Sequence, residues 1–227
     1  MRTIVRNLIL LLLTVPVLSG CNRVRKASDY ELWGLDVSKH QKHIDWLKVA
    51  ENERPYFVFI KATEGTLIVD PMYGKHARDL DEAGILWGAY HFFGHRTSGK
   101  AQARNFIKTA GLRKGNLFPV LDIEKHRFMK DPRKTVKEAK AFCREIRRYY
   151  GINPIIYCSS AFYEHYLKDD FSEDDYTLWI ADYSKNPSHL RWHFWQHTDS
   201  HSIQGIRGSV DRNVFDGDTA ELRKLIL

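Results

Sequence analysis

Short β-prone runs alternate with helix-period runs five times in the first three quarters of the chain. That alternation restricts the fold to a largely parallel sheet with helices outside it. The pattern predicts strands over 32–38, 56–63, 86–93, 117–124 and 154–159. Helices are expected over 44–51, 70–83, 100–110, 135–150 and 162–167. Asp70-Pro71 is a helix-start signal, and Gly84, Gly111 and Gly151 are stop signals. The clearest helix is 135–150, with Val136, Ala139, Phe142 and Ile146 at helical spacing. Three more strand patterns follow, over 176–182, 193–197 and 208–215, and then a closing helix over 218–227. The gaps 184–192 and 198–207 are barely long enough for a helical crossover, which takes about a dozen residues. The last strands are therefore expected to join by loops, with at least one antiparallel. Eight such strands close into an irregular α/β barrel, as a single domain over 31–227. An open doubly wound sheet is the alternative, but no Gly-rich phosphate loop follows any strand. With 227 residues and 43% apolar content, the chain can bury one large core.

The N-terminus reads differently. Arg2 and Arg6 precede an apolar run from Leu8 to Leu18 that is interrupted by Thr14 and Pro16. A bilayer span takes about 20 apolar residues, so 1–20 is read as a secretory signal. It ends in Leu18-Ser19-Gly20-Cys21, which resembles the bacterial lipobox. The resemblance implies cleavage before Cys21, lipidation of its thiol and an exported, membrane-anchored lipoprotein, with inner or outer membrane left open. Residues 21–30 would then be a polar tether.

The formal net charge is +7, and two of those charges, Arg2 and Arg6, lie in the leader. The excess reads as dispersed, with a local cluster at Arg23-Val24-Arg25-Lys26, and no nucleic-acid recognition motif accompanies it. An acidic polymer suits the same charge. Cys143 and Cys158 fall on a helix face and a buried strand, which suits free core thiols.

The stretch Phe118-Pro119-Val120-Leu121-Asp122-Ile123-Glu124 carries two acids at i and i+2. On a strand both leave one face, and such a pair is costly unless it is used. Chemistry in a β/α barrel gathers where strands end at one face. Those strand ends supply Asp36, Lys61 to Glu64, Tyr90, His91, Asp182, Tyr183 and Asp211. Barrel closure makes the first and last strands neighbours, which brings Asp36 beside Asp211. Aromatic walls are expected from Tyr90, Phe92, Trp179, Tyr183, Trp192 and Trp195. Aromatic faces with carboxylates suit a sugar polymer. Taken singly, Asp36 also suits a loop cap, and Lys61 a structural partner for Glu64. His40, His43, His91 and His193 show no ligand spacing, so no metal and no cofactor is implied.

These stretches together resemble glycoside hydrolase family 25, the Chalaropsis-type lysozymes. The resemblance rests on Gly34-Leu35-Asp36-Val37-Ser38, Ile44-Asp45-Trp46, Lys61-Ala62-Thr63-Glu64-Gly65 and Asp70-Pro71. It continues through Gly88-Ala89-Tyr90-His91-Phe92, Asp122-Ile123-Glu124, Leu178-Trp179-Ile180-Ala181, Tyr183, Trp195-Gln196 and Val210-Asp211-x-Asn213. It implies a (β/α)5(β)3 barrel and an N-acetylmuramidase acting on peptidoglycan glycan strands, expected as a monomer. It also implies that Glu124 is the general acid, with Asp122, Asp36 and Asp211 as the other active-site carboxylates. Lys61, Glu64, Tyr90, Tyr183, Trp195 and Gln196 are the implied substrate-binding residues. The Glu124 proton would be held by desolvation and by the charge of Asp122. A retaining outcome is implied, with the substrate's 2-acetamido group favoured over a carboxylate as the attacking group. A chitinase-like glycosidase and a non-catalytic wall-binding lipoprotein are the alternatives. The longer chitinase signature is incomplete, because Phe118, Pro119 and Val120 supply no acid ahead of Asp122.

Overall fold

The structure is a computed structural model and describes residues 24–125 and 127–227. The leader and the lipobox cysteine Cys21 lie outside the described residues.

Among the described residues nine strands form one sheet. They are β1 Trp33–Val37, β2 Phe57–Glu64, β3 Ile68–Val69, β4 Trp87–Phe92, β5 Val120–Asp122, β6 Ile155–Ser159, β7 Leu178–Ala181, β8 Phe194–His201 and β9 Val210–Phe215. The order β1-β9-β8-β7-β6-β5-β4-β2 is closed by a parallel β1–β2 pairing, and β3 hangs antiparallel on β2. All barrel neighbours are parallel except β9, which runs against both β8 and β1. The expected reversal in the last third thus falls on β9, while β8 stays parallel to β7. The result is an irregular α/β barrel, and the two-residue β3 is too short to leave a sequence signal.

Helices α1 Trp46–Asn52, α2 Tyr73–Ala83, α3 Gly99–Ala110 and α4 Pro132–Tyr150 cover the outside. The short α5, Ser160–Phe162, runs into a π-helical turn. Asp45, Ser98 and Asp131 cap three of these helices with their side-chain oxygens, and Gly84, Gly111 and Gly151 end three in the left-handed conformation. The Asp70-Pro71 signal misses its helix by three residues. Asp70 accepts from Met72 N and Lys39 N instead, at 2.9 and 3.0 Å, and so ties the β1 loop to the β3 turn. Arg133, Lys134, Lys137, Arg144, Arg147 and Arg148 are all exposed on α4, so much of the positive charge is gathered on one helix. Cys143 and Cys158 are free and buried.

Side-chain alternation divides the core into two layers. Leu35, Val58, Ile60, Ala89, Leu121, Ile156, Cys158 and Ile180 point out and pack under the helices. Phe57, Phe59, Val120, Ile155, Trp179, Phe194 and Phe215 point in and fill the barrel. The inner layer is mostly aromatic, with Phe59 stacked on Trp179 at 4.7 Å and Phe194 against Phe57 at 5.0 Å. Helix α6, Thr219–Arg223, and the chain after it plug the base. Leu222 joins the inner layer, and Leu227 N donates to Asn116 O. The stretch read as a tether is already docked by Arg25. Asn186 donates to Arg25 O and to Tyr30 Oη, and Arg25 pairs with Asp216 at 3.0 Å.

Gly34 lies two residues below Asp36 on the inward face of β1. A Cβ there would sit 2.4 Å from Phe57 O and 2.5 Å from its ring. Gly34→Ala is therefore expected to destabilise the fold by about 1–3 kcal/mol, the usual cost of overpacking, as measured by urea denaturation.

Candidate active site

Five inward rows of the barrel end in a polar group at the mouth. Above Gly34 stands Asp36, above Phe59 Lys61, above Val120 Asp122, above Ile155 Tyr157 and above Phe194 Gln196. On β9 the row runs the other way, so Asp211 reaches the mouth from the start of its strand. It does so because β9 is reversed, and Asp36 and Asp211 are direct cross-strand partners. These groups line a cleft of about 360 Å³ that also holds Tyr90, Phe92, Glu124, Trp179 and Tyr183, with His40, Gln41 and Asp199 also in its lining. Strand β5 stops at Asp122, short of the 117–124 expected. Ile123 N still donates to Tyr157 O at 2.9 Å, and Glu124 follows in the loop while remaining in the cleft lining.

Asp36 is the hub of a one-directional hydrogen-bond network. Tyr157 Oη and Tyr183 Oη donate to Gln196 Oε1 at 2.8 and 2.7 Å. Gln196 Nε2 donates onward to Asp36 Oδ2 at 2.8 Å. Trp179 Nε1 donates to Asn213 Oδ1, and Asn213 Nδ2 donates to the same Asp36 oxygen, each at 2.8 Å. Burial raises the Asp36 pKa, while these amides and a hydrogen bond with Asp211 oppose the rise. Burial, then the Asp36 charge and hydrogen bond, raise Asp211 to about 8. The hydrogen bond between the two carboxyls thus lowers the proton affinity of Asp36 and raises that of Asp211.

Asp122 lies at the bottom of the cleft. Burial first and the Glu124 charge second push its pKa well above the usual carboxylate range, and the Lys61 ammonium pulls it partly back. Asp122 Oδ1 is buried with no hydrogen-bond partner. Glu124 is half-buried. The desolvation expected at Glu124 therefore falls more heavily on its neighbour.

The structure brings Asp36, Asp122, Glu124, Asp211, Lys61, Tyr90, Tyr183 and Gln196 together, and places the other two implied substrate-binding residues elsewhere. Glu64 holds Lys61 Nζ at 2.8 Å and lines a neighbouring depression. Trp195 has the opposite parity to Gln196. It is buried in the outer layer against Trp192 and Tyr30, and donates from Nε1 to Asp182 O. Trp192 leaves the wall for the same layer. His91 also faces outward, between Thr63 Oγ1 and Gln102 Oε1, and burial lowers its pKa to about 4. Tyr157 carried no sequence signal, because its strand is apolar on both faces. Asn213 stood in a quoted motif without a role. Among the described residues no group of His, Cys, Asp and Glu is arranged to hold a metal ion.

Residues 35–206 match the family model described as glycosyl hydrolases family 25. The chain is 37% identical over 212 residues to the uncharacterized protein YegX of Escherichia coli K12, covering 89% of this chain and 76% of that one. It is 30% identical over 219 residues to lysozyme M1 of Streptomyces globisporus, covering 85% and 70%. The structure of a family 25 glycosyl hydrolase from Bacillus anthracis superposes with a TM-score of 0.82 at 29% identity, over 92% of this chain and all of that one. With its fold, its cleft and its sequence in agreement, this chain belongs to glycosyl hydrolase family 25 and is a glycoside hydrolase.

Proposed function

We propose that the enzyme is a peptidoglycan muramidase that hydrolyses the β-1,4 bond between N-acetylmuramic acid and N-acetylglucosamine with net retention. The observation that carries this reading is the convergence of Asp36, Asp122, Glu124 and Asp211 on one aromatic-walled cleft. Its relatives include proteins named lysozyme M1, autolytic lysozyme and N,O-diacetylmuramidase. In the proposed mechanism Glu124 gives its proton to the leaving oxygen as the glycosidic bond breaks. The acetamido oxygen of the same sugar closes on the anomeric carbon from the other face. With the proton of the Asp122–Glu124 pair carried by Glu124, the Asp122 carboxylate accepts the acetamido N–H and balances the positive charge that develops there. Its partnerless Oδ1 suits that role. Water then attacks the anomeric carbon, breaking its bond to the acetamido oxygen so that the acetamide is restored, and gives one proton to Glu124. Asp36 and Asp211 share one proton and hold Gln196, Asn213 and Tyr183 in register around the sugar. The barrel reading extends to the family's (β/α)5(β)3 arrangement, acting as a monomer.

We also propose that Cys21 carries the lipid. Three residues separate it from the docked Arg25, four steps along the chain with a reach of at most about 14 Å, so the barrel would sit close against the membrane.

Glu124→Gln is expected to keep the fold and lower reducing-end release from purified sacculi by about 10²–10⁴-fold. Undiminished turnover would remove Glu124 as the acid. Asp211 gains proton affinity on folding, from 3.8 to about 8, so its contribution to stability is lost as pH rises through that window. Asp211→Asn keeps a donor to Asp36 and does not titrate. Its melting temperature is expected to exceed that of the unmodified chain at pH 8 and to match it near pH 4. Cys21→Ser is expected to move the enzyme from the membrane to the soluble fraction, with the acyl mass lost from its N-terminal peptide.

A further inference from the structure

A second depression, of about 540 Å³, lies beside the catalytic cleft. Phe92 borders both, and the Lys61–Glu64 pair stands between them. One wall is the β2–β3 turn, where Leu67, Ile68 and Val69 are exposed in a row, Leu67 at 88%. Such a run of exposed apolar side chains is unusual on a soluble surface. The turn is held in place, because Asn105 Nδ2 on α3 donates to Gly65 O and Ile68 O at 3.2 and 3.3 Å. The facing wall carries two guanidinium groups on one ring. Arg96 Cζ lies 4.1 Å and Arg127 Cζ 4.8 Å from the centre of Phe128. Among the described residues neither arginine is ion-paired with an acid. Two like charges gathered at one aromatic ring without a counter-ion favour an anion beside them.

We propose that this depression is a subsite for the short acidic peptide carried by the glycan strand, a reading that rests on the muramidase assignment. Muramic acid bears its peptide on the lactyl group, so a strand seated in the cleft brings a peptide over the rim. That peptide alternates small methyl side chains with free carboxylates. Leu67 and Ile68 offer an apolar strip to the methyls, and Arg96 and Arg127 offer planar donors to the carboxylates. The subsite makes the enzyme prefer peptide-bearing wall over bare glycan.

The test compares the full chain with Arg96→Ala/Arg127→Ala on sacculi and on the same glycan strands stripped of peptide by an amidase. The double variant is expected to lose about tenfold in kcat/KM on sacculi, mainly through KM, and at most about twofold on stripped strands. The difference should shrink with added salt. Arg96→Lys/Arg127→Lys should restore part of it. Equal losses on both substrates, or none on either, overturn the subsite. Cosedimentation of Glu124→Gln with the two substrates supplies a readout that needs no turnover. A preference for peptide-bearing wall that disappears with the two arginines supports the subsite. Equal binding to both substrates overturns it. Absence of hydrolysis by the unmodified enzyme would sink the muramidase assignment while this binding comparison still decides the subsite.

Discussion

A side chain on a closed sheet has two places to go, and that binary choice governs this molecule. Inward positions below the mouth are filled by Phe57, Phe59, Trp179, Phe194 and Phe215, which leave the barrel no pore. Inward positions one step higher become the cleft. The same two-residue period therefore sets both the plug and the site. The cleft floor is rigid because it rests on tightly packed rings, with Tyr157 4.6 Å from Trp179 and Phe59 stacked beneath.

Gathering carboxyl groups in a desolvated cleft is costly, and the fold lowers that cost in two ways. Around Asp36 it supplies directed donors. Five side chains pass hydrogen bonds toward one oxygen, and Asp211 adds a shared proton. Around Asp122 it supplies almost nothing beyond the Lys61 charge, itself divided with Glu64. Asp36 is thus fully hydrogen-bonded, whereas Asp122 Oδ1 is buried with no hydrogen-bond partner. Two acidic pairs of similar composition thus differ because their neighbours differ.

The alternation of elements, the glycine stops and the four acids were legible because each leaves a local pattern. The acids clustered in the right place because strand ends at one face of a barrel must meet. The errors came from parity. Trp195 and Gln196 are adjacent, and in a strand buried on both faces nothing local says which one turns inward. Hydrogen bonds from elsewhere decide it, with Gln196 drawn to Asp36 and Trp195 to the Asp182 carbonyl. Tyr157 was invisible for the same reason. Asp211 was placed correctly, but only the reversal of β9 explains why the start of its strand is at the mouth. The basic face of α4 was hidden in a charge count that carries no geometry.

The docked segment from Arg25 to Tyr30 enters beneath the barrel. Arg25 meets Asp216 just past the lower end of β9, and Tyr30 packs on Trp192 ahead of β8. The polypeptide before it consequently joins at the pole opposite the carboxylates. Anything fastened to that end holds the molecule by its floor and leaves the opening turned outward, able to sweep across a mesh facing it.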